Sequence, residues 1–249
     1  ASDTVSLNKD KQELQKKLAS AEEEKTSLEN QLKEKAKQIE SLNGTIAGLQ
    51  ATNSELTQTN AKYQAAFNNT KNTINGIYNE NISKPIVDMN PVQLDNARST
   101  YEGMKPLLAI DPNLSRDLEG KVSEINTWKA LIEPLKGAKQ YMKGKYDEKQ
   151  RMKWVEEINK IPLAGSKAKE EVKEGEYAVL TLLENQAKLK KNYDLIVYNL
   201  EQLKSLPDEE ALKDANTMFG EMQGYVKRYY KEGIYVGYDN AIKKIADAL

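Results

Sequence analysis

The chain of 249 residues contains neither cysteine nor histidine. Without cysteine there are no disulfides, no thiol nucleophiles and no thiolate metal sites. Without histidine the chain lacks the usual general base near neutral pH and the most common transition-metal ligand. Any catalysis would have to use carboxylate, lysine, tyrosine or serine groups. We therefore expect a protein that is not an enzyme and that holds no metal ion and no cofactor.

Apolar residues are also scarce, and neither sign of charge is in excess. Hydrophobic residues make up 39% of the chain and charged residues 30%, with a formal net charge of −1. This balance suits long helices with one buried face better than a single large spherical core. The even charge gives no reason to expect nucleic acid as a partner. No segment approaches the ~20 apolar residues that a membrane span requires.

The sequence begins Ala1-Ser2-Asp3, without a methionine. Its cysteine-free composition, rich in lysine, asparagine and tyrosine, is typical of exported bacterial proteins. Together these features suggest that an export signal has been removed. We therefore expect an extracytoplasmic location, in the periplasm or at the cell surface.

The first third of the chain carries apolar residues at a seven-residue period. With Leu7 at heptad position d, the register continues without a slip for ten heptads to Ile77. This period predicts a left-handed coiled coil, because so narrow an apolar face on a long helix must be covered by another helix. The residues expected at the oligomer interface are Leu14, Leu18, Leu28, Leu32, Ile39, Leu42, Ile46, Leu49, Asn53, Leu56 and Asn60.

Lysine and asparagine at some a positions favour two strands and fix their register at a cost in stability. We expect a homo-oligomer through residues 7–77, most simply a parallel homodimer. The flanking charges specify it only weakly. Lys17 would attract Glu22 of the second chain, whereas Glu24 would repel Glu29, and such surface pairs contribute little. An antiparallel dimer and a trimer are the open alternatives.

The dipeptide Asn43-Gly44 resembles a helix stop. A turn there would fold the segment back on itself as an intramolecular hairpin. The apolar phase nevertheless continues from Leu42 to Leu49, and a loop has no reason to preserve a heptad phase. We therefore expect one continuous helix of about 100 Å.

All seven prolines lie beyond residue 84, where the pattern changes. We predict a coiled-coil stalk over residues 1–83 and an α-helical domain over 84–249. The fold class expected is therefore all-α, with a long N-terminal coiled-coil helix followed by a C-terminal helical bundle domain. Prolines and capping residues predict the helix limits. The expected helices are 91–108, 114–143 with a kink or break at Pro134, 147–161, 167–206, 207–231 and 239–249.

Residues 224–238 have the most unusual local composition, because five tyrosines alternate with cationic residues. Aromatic faces beside positive charge can stack on sugars, bases or a peptide. The chain has 13 tyrosines and only 2 phenylalanines, so tyrosine must also fill core positions, and packing between helices is the simpler explanation of these rings. The candidate binding residues are Tyr225, Tyr229, Tyr230, Tyr235, Tyr238 and Arg228.

These patterns favour a structural or adaptor protein. Its stalk would set the oligomeric state, and its helical domain would contact an unidentified protein partner. The alternative is an extracytoplasmic helical module that binds a glycan or peptide through the tyrosine-rich surface. A membrane-active protein would need a long apolar hairpin, which the sequence lacks. An enzyme would need paired carboxylates in a cleft or a lysine of perturbed pKa.

Overall fold

The structure is a computed structural model of the chain. It describes residues 1–203, 209–230, 233–234, 243 and 247, apart from the side chains of 199–203, 211, 225 and 230. These residues form helices, turns and loops without a strand, which confirms the all-α fold class. The chain divides into two compact units, residues 1–66 and residues 67–249.

One helix, α1, runs from Ser2 to Asn81 without interruption. Its composition explains this length, because lysine, glutamate, glutamine, leucine and alanine are strong helix formers. Gly44 and Gly48 lie within the helix, and neither adopts a positive φ. The predicted continuous helix is confirmed, and the hairpin interpretation of residues 43–48 is wrong.

Two capped helices follow α1 after a 3₁₀ turn at Ile86–Asp88: α2 at Pro91–Leu108 and α3 at Pro112–Met142. The side chains of Asn90 and Asp111 each accept a hydrogen bond from an amide of the first turn, at 2.9 and 3.1 Å. Each cap precedes a proline, whose missing N–H costs nothing at the start of a helix. The sequence predicted both of these helices.

Within the second unit, the end of α1 packs against α2 and α3. Aromatic and aliphatic side chains from all three helices pack in one buried cluster, so the apolar face of each helix is shielded from water. Pro134 lies inside α3, and the helix continues past it. The cluster contains Phe67, Ile74, Tyr101, Leu108, Leu118 and Val122.

A larger core joins the same three helices to the remaining elements, which are α4 at Glu148–Asn159, α5 at Ser166–Lys169, α6 at Val179–Leu203 and α7 at Glu209–Tyr230. Trp128 of α3 is a fully buried member of this core. Burying a side chain of this size contributes a large share of a core's hydrophobic free energy. Other fully or almost fully buried members are Ile125, Leu131, Leu135, Met142, Leu182, Leu183, Leu189 and Met222.

The single helix predicted over residues 167–206 is wrong. α5 passes into a π-helical turn, Glu170–Glu174, and Gly175 is extended with φ −78° and ψ 161° before α6 begins. A tertiary hydrogen bond accompanies this break: Glu171 Oε1 accepts from the amide of Ile86 at 3.2 Å. Of the helix predicted over 239–249, only residues 243 and 247 lie within the described part, and both are helical.

The loop between α4 and α5 is fastened to α3. The hydroxyl of Thr127 donates to the carbonyl oxygen of Pro162 at 3.2 Å and accepts from the amide of Ala164 at 3.3 Å. Gly165 then adopts φ +87°, a conformation that favours glycine, and a Cβ there would collide with the carboxylate of Glu124. This loop is therefore specified by tertiary contacts as well as by its own sequence.

Candidate interaction surface

The first unit presents a continuous row of large apolar side chains. We call the a and d residues from Leu7 to Tyr63 the apolar stripe. Every residue from 1 to 65 is exposed, and the leucines and isoleucines of the stripe are between 51% and 69% exposed. Within the described chain no other element covers them. The apolar members are Leu7, Leu14, Leu18, Leu28, Leu32, Ile39, Leu42, Ile46, Leu49 and Leu56.

Local contacts within this helix are few and weak. Lys25 Nζ lies 4.0 Å from Glu29 Oε1, with both side chains more than half exposed, and such pairs stabilise helices only slightly. Thr57 donates its hydroxyl proton to the carbonyl of Asn53 at 2.8 Å. In proteins most helical stability comes from packing of an apolar face rather than from local pairs. The stripe is therefore the part of this unit with the most free energy to gain from a partner.

Polar residues interrupt the apolar stripe at fixed heptad positions. Lys11, Lys25, Asn53 and Asn60 occupy position a, and Lys35 occupies position d. All five residues are exposed, and their heptad positions place them on the same side of the helix as the leucines. In a packed interface these groups would have to find a polar partner or reach the solvent. They therefore constrain how another helix can lie on the stripe.

The face predicted as an interface over residues 7–77 is partly buried within the chain itself. Phe67, Thr70, Ile74 and Ile77 continue the same a and d positions, but they are buried inside the second unit. The chain's own α2 and α3 supply the covering side chains, including those of Tyr101 and Leu118. Asn81, the next a position, is also fully buried and was missed, although the seven-residue spacing leads directly to it.

Tyr229, the one ring of the tyrosine-rich segment whose placement is described, lies in the core. It is 4% exposed, and its hydroxyl accepts a hydrogen bond from Asn185 Nδ2 at 3.3 Å. Its ring meets that of Tyr177 edge to face, with centroids 5.6 Å apart. This placement agrees with the packing interpretation and leaves the Tyr229 ring no exposed face for a ligand.

Arg228 forms an ion pair with Glu176, so its charge already has a partner within the chain. Its guanidinium carbon also lies 5.9 Å from the centroid of the Tyr229 ring. These contacts join α7 to the segment that precedes α6. The side chains of Tyr225, Tyr230, Tyr235 and Tyr238 lie outside the described part of the structure, and their role in binding stays a prediction.

The perturbed ionisable groups of the second unit are explained by packing and ion pairs. Burial and a hydrogen bond with Glu124 raise the pKa of Tyr78 to about 12. Hydrogen bonds from Lys129 at 2.8 Å and from Arg98 lower the pKa of the Asp95 carboxyl. Contacts of this kind also occur in purely structural networks, so they do not by themselves indicate chemistry.

In the described residues no group of three or more acidic side chains is placed to hold a metal ion. Nor does any helix there combine the length and apolar character needed to cross a bilayer. No protein-family model, curated protein or solved structure matches the chain.

Proposed function

We propose that this chain is a non-enzymatic structural or adaptor protein that associates with a second copy of itself through the apolar stripe. The observation that carries this proposal is the row of leucine and isoleucine side chains, more than half exposed, over the first 63 residues. Apolar surface of this extent is rare on soluble monomers and marks an interaction site. A coiled coil is the structure that covers a face repeating every seven residues.

A second copy is the occupant that fits the stripe. The stripe extends about 85 Å from Leu7 to Tyr63 at 1.5 Å per residue. The longest described helix of the second unit, α3, has 31 residues and spans about 46 Å. A second α1 has the same length and the same period as the stripe, so its a and d residues can pack along the whole of it.

The free energy available from this association is large. Burying one leucine or isoleucine side chain contributes about 1.5–3 kcal/mol relative to leaving it in water. The stripe offers ten such side chains on each copy, all at least half exposed. Part of this gain offsets the lost translational and rotational freedom, which costs about 4–15 kcal/mol. The remainder is sufficient for a stable dimer.

The helical domain is the part of the adaptor that would contact an unidentified protein partner. Support comes from α6, where Tyr198 is 62% exposed and Leu195, three residues earlier, is 38% exposed. Side chains three apart lie on one face of a helix, and exposed aromatic residues are frequent in interface centres. We prefer this role to glycan or peptide binding because the ring of Tyr229 is buried. We place the protein outside the cytoplasm, as the composition suggests.

Sedimentation equilibrium of the full chain tests the association. We expect a dimer, and we expect Leu42→Glu with Ile46→Glu to weaken it at least a thousandfold or so, because four buried aliphatic side chains are lost per dimer. Ala47→Glu with Ala51→Glu is the matched control, since it adds the same charges at the same spacing in the next turn, outside positions a and d. A monomeric native chain at 100 µM or so would contradict the proposal.

A further inference from the structure

The polar residues of the stripe restrict the direction in which a second copy can lie. In a parallel pair in register, each a residue faces the a residue of the other chain, and each d residue faces d. Asn53 would then face Asn53, and Asn60 would face Asn60. An amide has both donors and an acceptor, so two such amides can satisfy each other inside an interface.

An antiparallel pair gives these amides poorer partners, because a then faces d. No d residue of the stripe is an asparagine, and most are leucine. One antiparallel register gives Asn53 a polar partner, because it places Lys35 opposite Asn53. That register pairs only residues 25–63 of the two copies. It leaves Leu7, Leu14 and Leu18 of each copy uncovered. Antiparallel packing therefore leaves an asparagine facing an apolar side chain or leaves part of the stripe exposed.

The end of the interface follows from the second unit. Phe67, Thr70, Ile74 and Ile77 hold the next a and d positions, and each is already buried within its own chain. A second copy cannot occupy those positions unless α2 and α3 separate from α1. Tyr63 is the last a or d residue that is exposed.

From these observations we infer that the second copy lies parallel and in register, that Asn53 and Asn60 specify this arrangement, and that the contact ends at Tyr63. The inference rests on the proposed association. The parallel arrangement also has an electrostatic cost, because Lys11, Lys25 and Lys35 each face the same lysine of the second copy. This repulsion is screened by salt, so the dimer should tighten as the salt concentration rises.

Disulfide cross-linking of the full chain tests the direction, and the absence of native cysteine makes it specific. In the parallel register Leu14→Cys and Leu56→Cys each place two thiols at the same level of the interface, within the short reach of a disulfide. We expect each variant alone to form covalent dimers under mild oxidation. Thr70→Cys, a d position beyond Tyr63, should remain without cross-links.

The antiparallel alternative gives a different product. In the antiparallel register with the longest overlap, which pairs residues 4–63 of the two copies, Leu18 faces Leu49. A mixture of Leu18→Cys and Leu49→Cys chains would then form the mixed disulfide, while neither variant alone would cross-link. That result would overturn the parallel arrangement, as would efficient cross-linking of Thr70→Cys. Sedimentation equilibrium of the unoxidised variants distinguishes two outcomes. A dimer with the antiparallel cross-link would overturn only the direction, whereas the absence of a dimer would reject the proposed function.

The role of the two asparagines has its own test. Asn53→Leu with Asn60→Leu should raise the melting temperature of the oligomer. It should also allow the mixed Leu18→Cys and Leu49→Cys disulfide to form, because the apolar replacements no longer specify direction. Asn30→Leu, at outer position f, is the control and should change neither result. If the doubly substituted chain still cross-links only in the parallel pattern, the asparagines do not set the direction.

Discussion

Helix α1 contains two regions that share one heptad phase and differ in their surroundings. In residues 67–81 the a and d positions are buried against α2 and α3, whereas in residues 7–63 the same positions are exposed. Ile74 is 0% exposed and Ile46 is 51% exposed, although both occupy position a. Periodicity therefore shows which face of a helix needs cover, and it does not show whether the cover comes from the same chain.

Alanine substitution of Ile74 and Ile46 should give the largest difference in stability between the two regions of α1. Ile74→Ala should lower the free energy of unfolding of the second unit by about 2–5 kcal/mol, because it leaves a cavity in a close-packed core. Ile46→Ala should leave that unit unchanged and weaken only the association. The two tryptophans, Trp128 and Trp154, both lie in the second unit, so their fluorescence reports its unfolding alone. An equal loss of unfolding free energy in both variants would contradict the conclusion that only Ile74 belongs to the core of the second unit.

The asparagines at position a give a second matched pair. Asn81 is fully buried and donates to the carbonyl of Ile77 at 2.8 Å and to Gln93 Oε1 at 3.0 Å. We expect Asn81→Ala to cost about 1–3 kcal/mol of the tryptophan-detected stability, because two hydrogen bonds are lost and Gln93 Oε1 is left without this donor. Asn53→Ala, on the exposed region, should shift that transition by less than about 0.5 kcal/mol. Denaturant titration followed by fluorescence measures both values.

Replacing glycine by alanine should have opposite signs in the two units. At Gly44 a Cβ meets nothing within 4 Å, so Gly44→Ala should stabilise α1 by about 1 kcal/mol through helix propensity. At Gly165 the positive φ and the nearby Glu124 carboxylate should make Gly165→Ala destabilising by about 1 kcal/mol or more. Circular dichroism at 222 nm follows the first variant and tryptophan fluorescence the second. If Gly44→Ala were destabilising, the result would favour a turn at Gly44 over a continuous helix.

The smallest effect concerns alkaline pH. Because the pKa of Tyr78 is raised from 10.0 to about 12, its protonated form is favoured in the folded state. Its contribution to stability is complete below pH 10 and is lost as the pH rises from 10 towards 12. Tyr78→Phe should therefore make the decline of tryptophan-detected stability over this range shallower. An unchanged decline in Tyr78→Phe would contradict this prediction.

The sequence was most informative where local chemistry decides the structure. Asn90 and Pro91 placed the start of α2, and Asp147 placed that of α4, because caps and prolines act within one turn. The heptad phase likewise identified the buried face of residues 67–77 before any partner was known. That face was assigned to a second chain because the pattern contains no information on which helix covers it.

Distant contacts explain what the sequence did not reveal. The break between α5 and α6 involves Glu171, whose acceptor role depends on an amide 85 residues away. Tyr229 could be read as a ligand surface because only its neighbours in space, Asn185 and Tyr177, show that it is internal. The heptad period leads to position 81, but the hydrogen bond from Asn81 Nδ2 to Gln93 of another helix is visible only in the structure. Local patterns cannot supply such pairings.

The hydrogen bond between Ile86 and Glu171 also has a consequence for biosynthesis. A chain growing from its amino end completes α1 well before Glu171 has been added. The amide of Ile86, in the 3₁₀ turn at Ile86–Asp88, therefore lacks this acceptor until Glu171 has been synthesised. During that interval the stripe has already emerged from the ribosome. The proposed association could therefore begin between neighbouring chains on one messenger RNA while their carboxyl-terminal halves are still being translated.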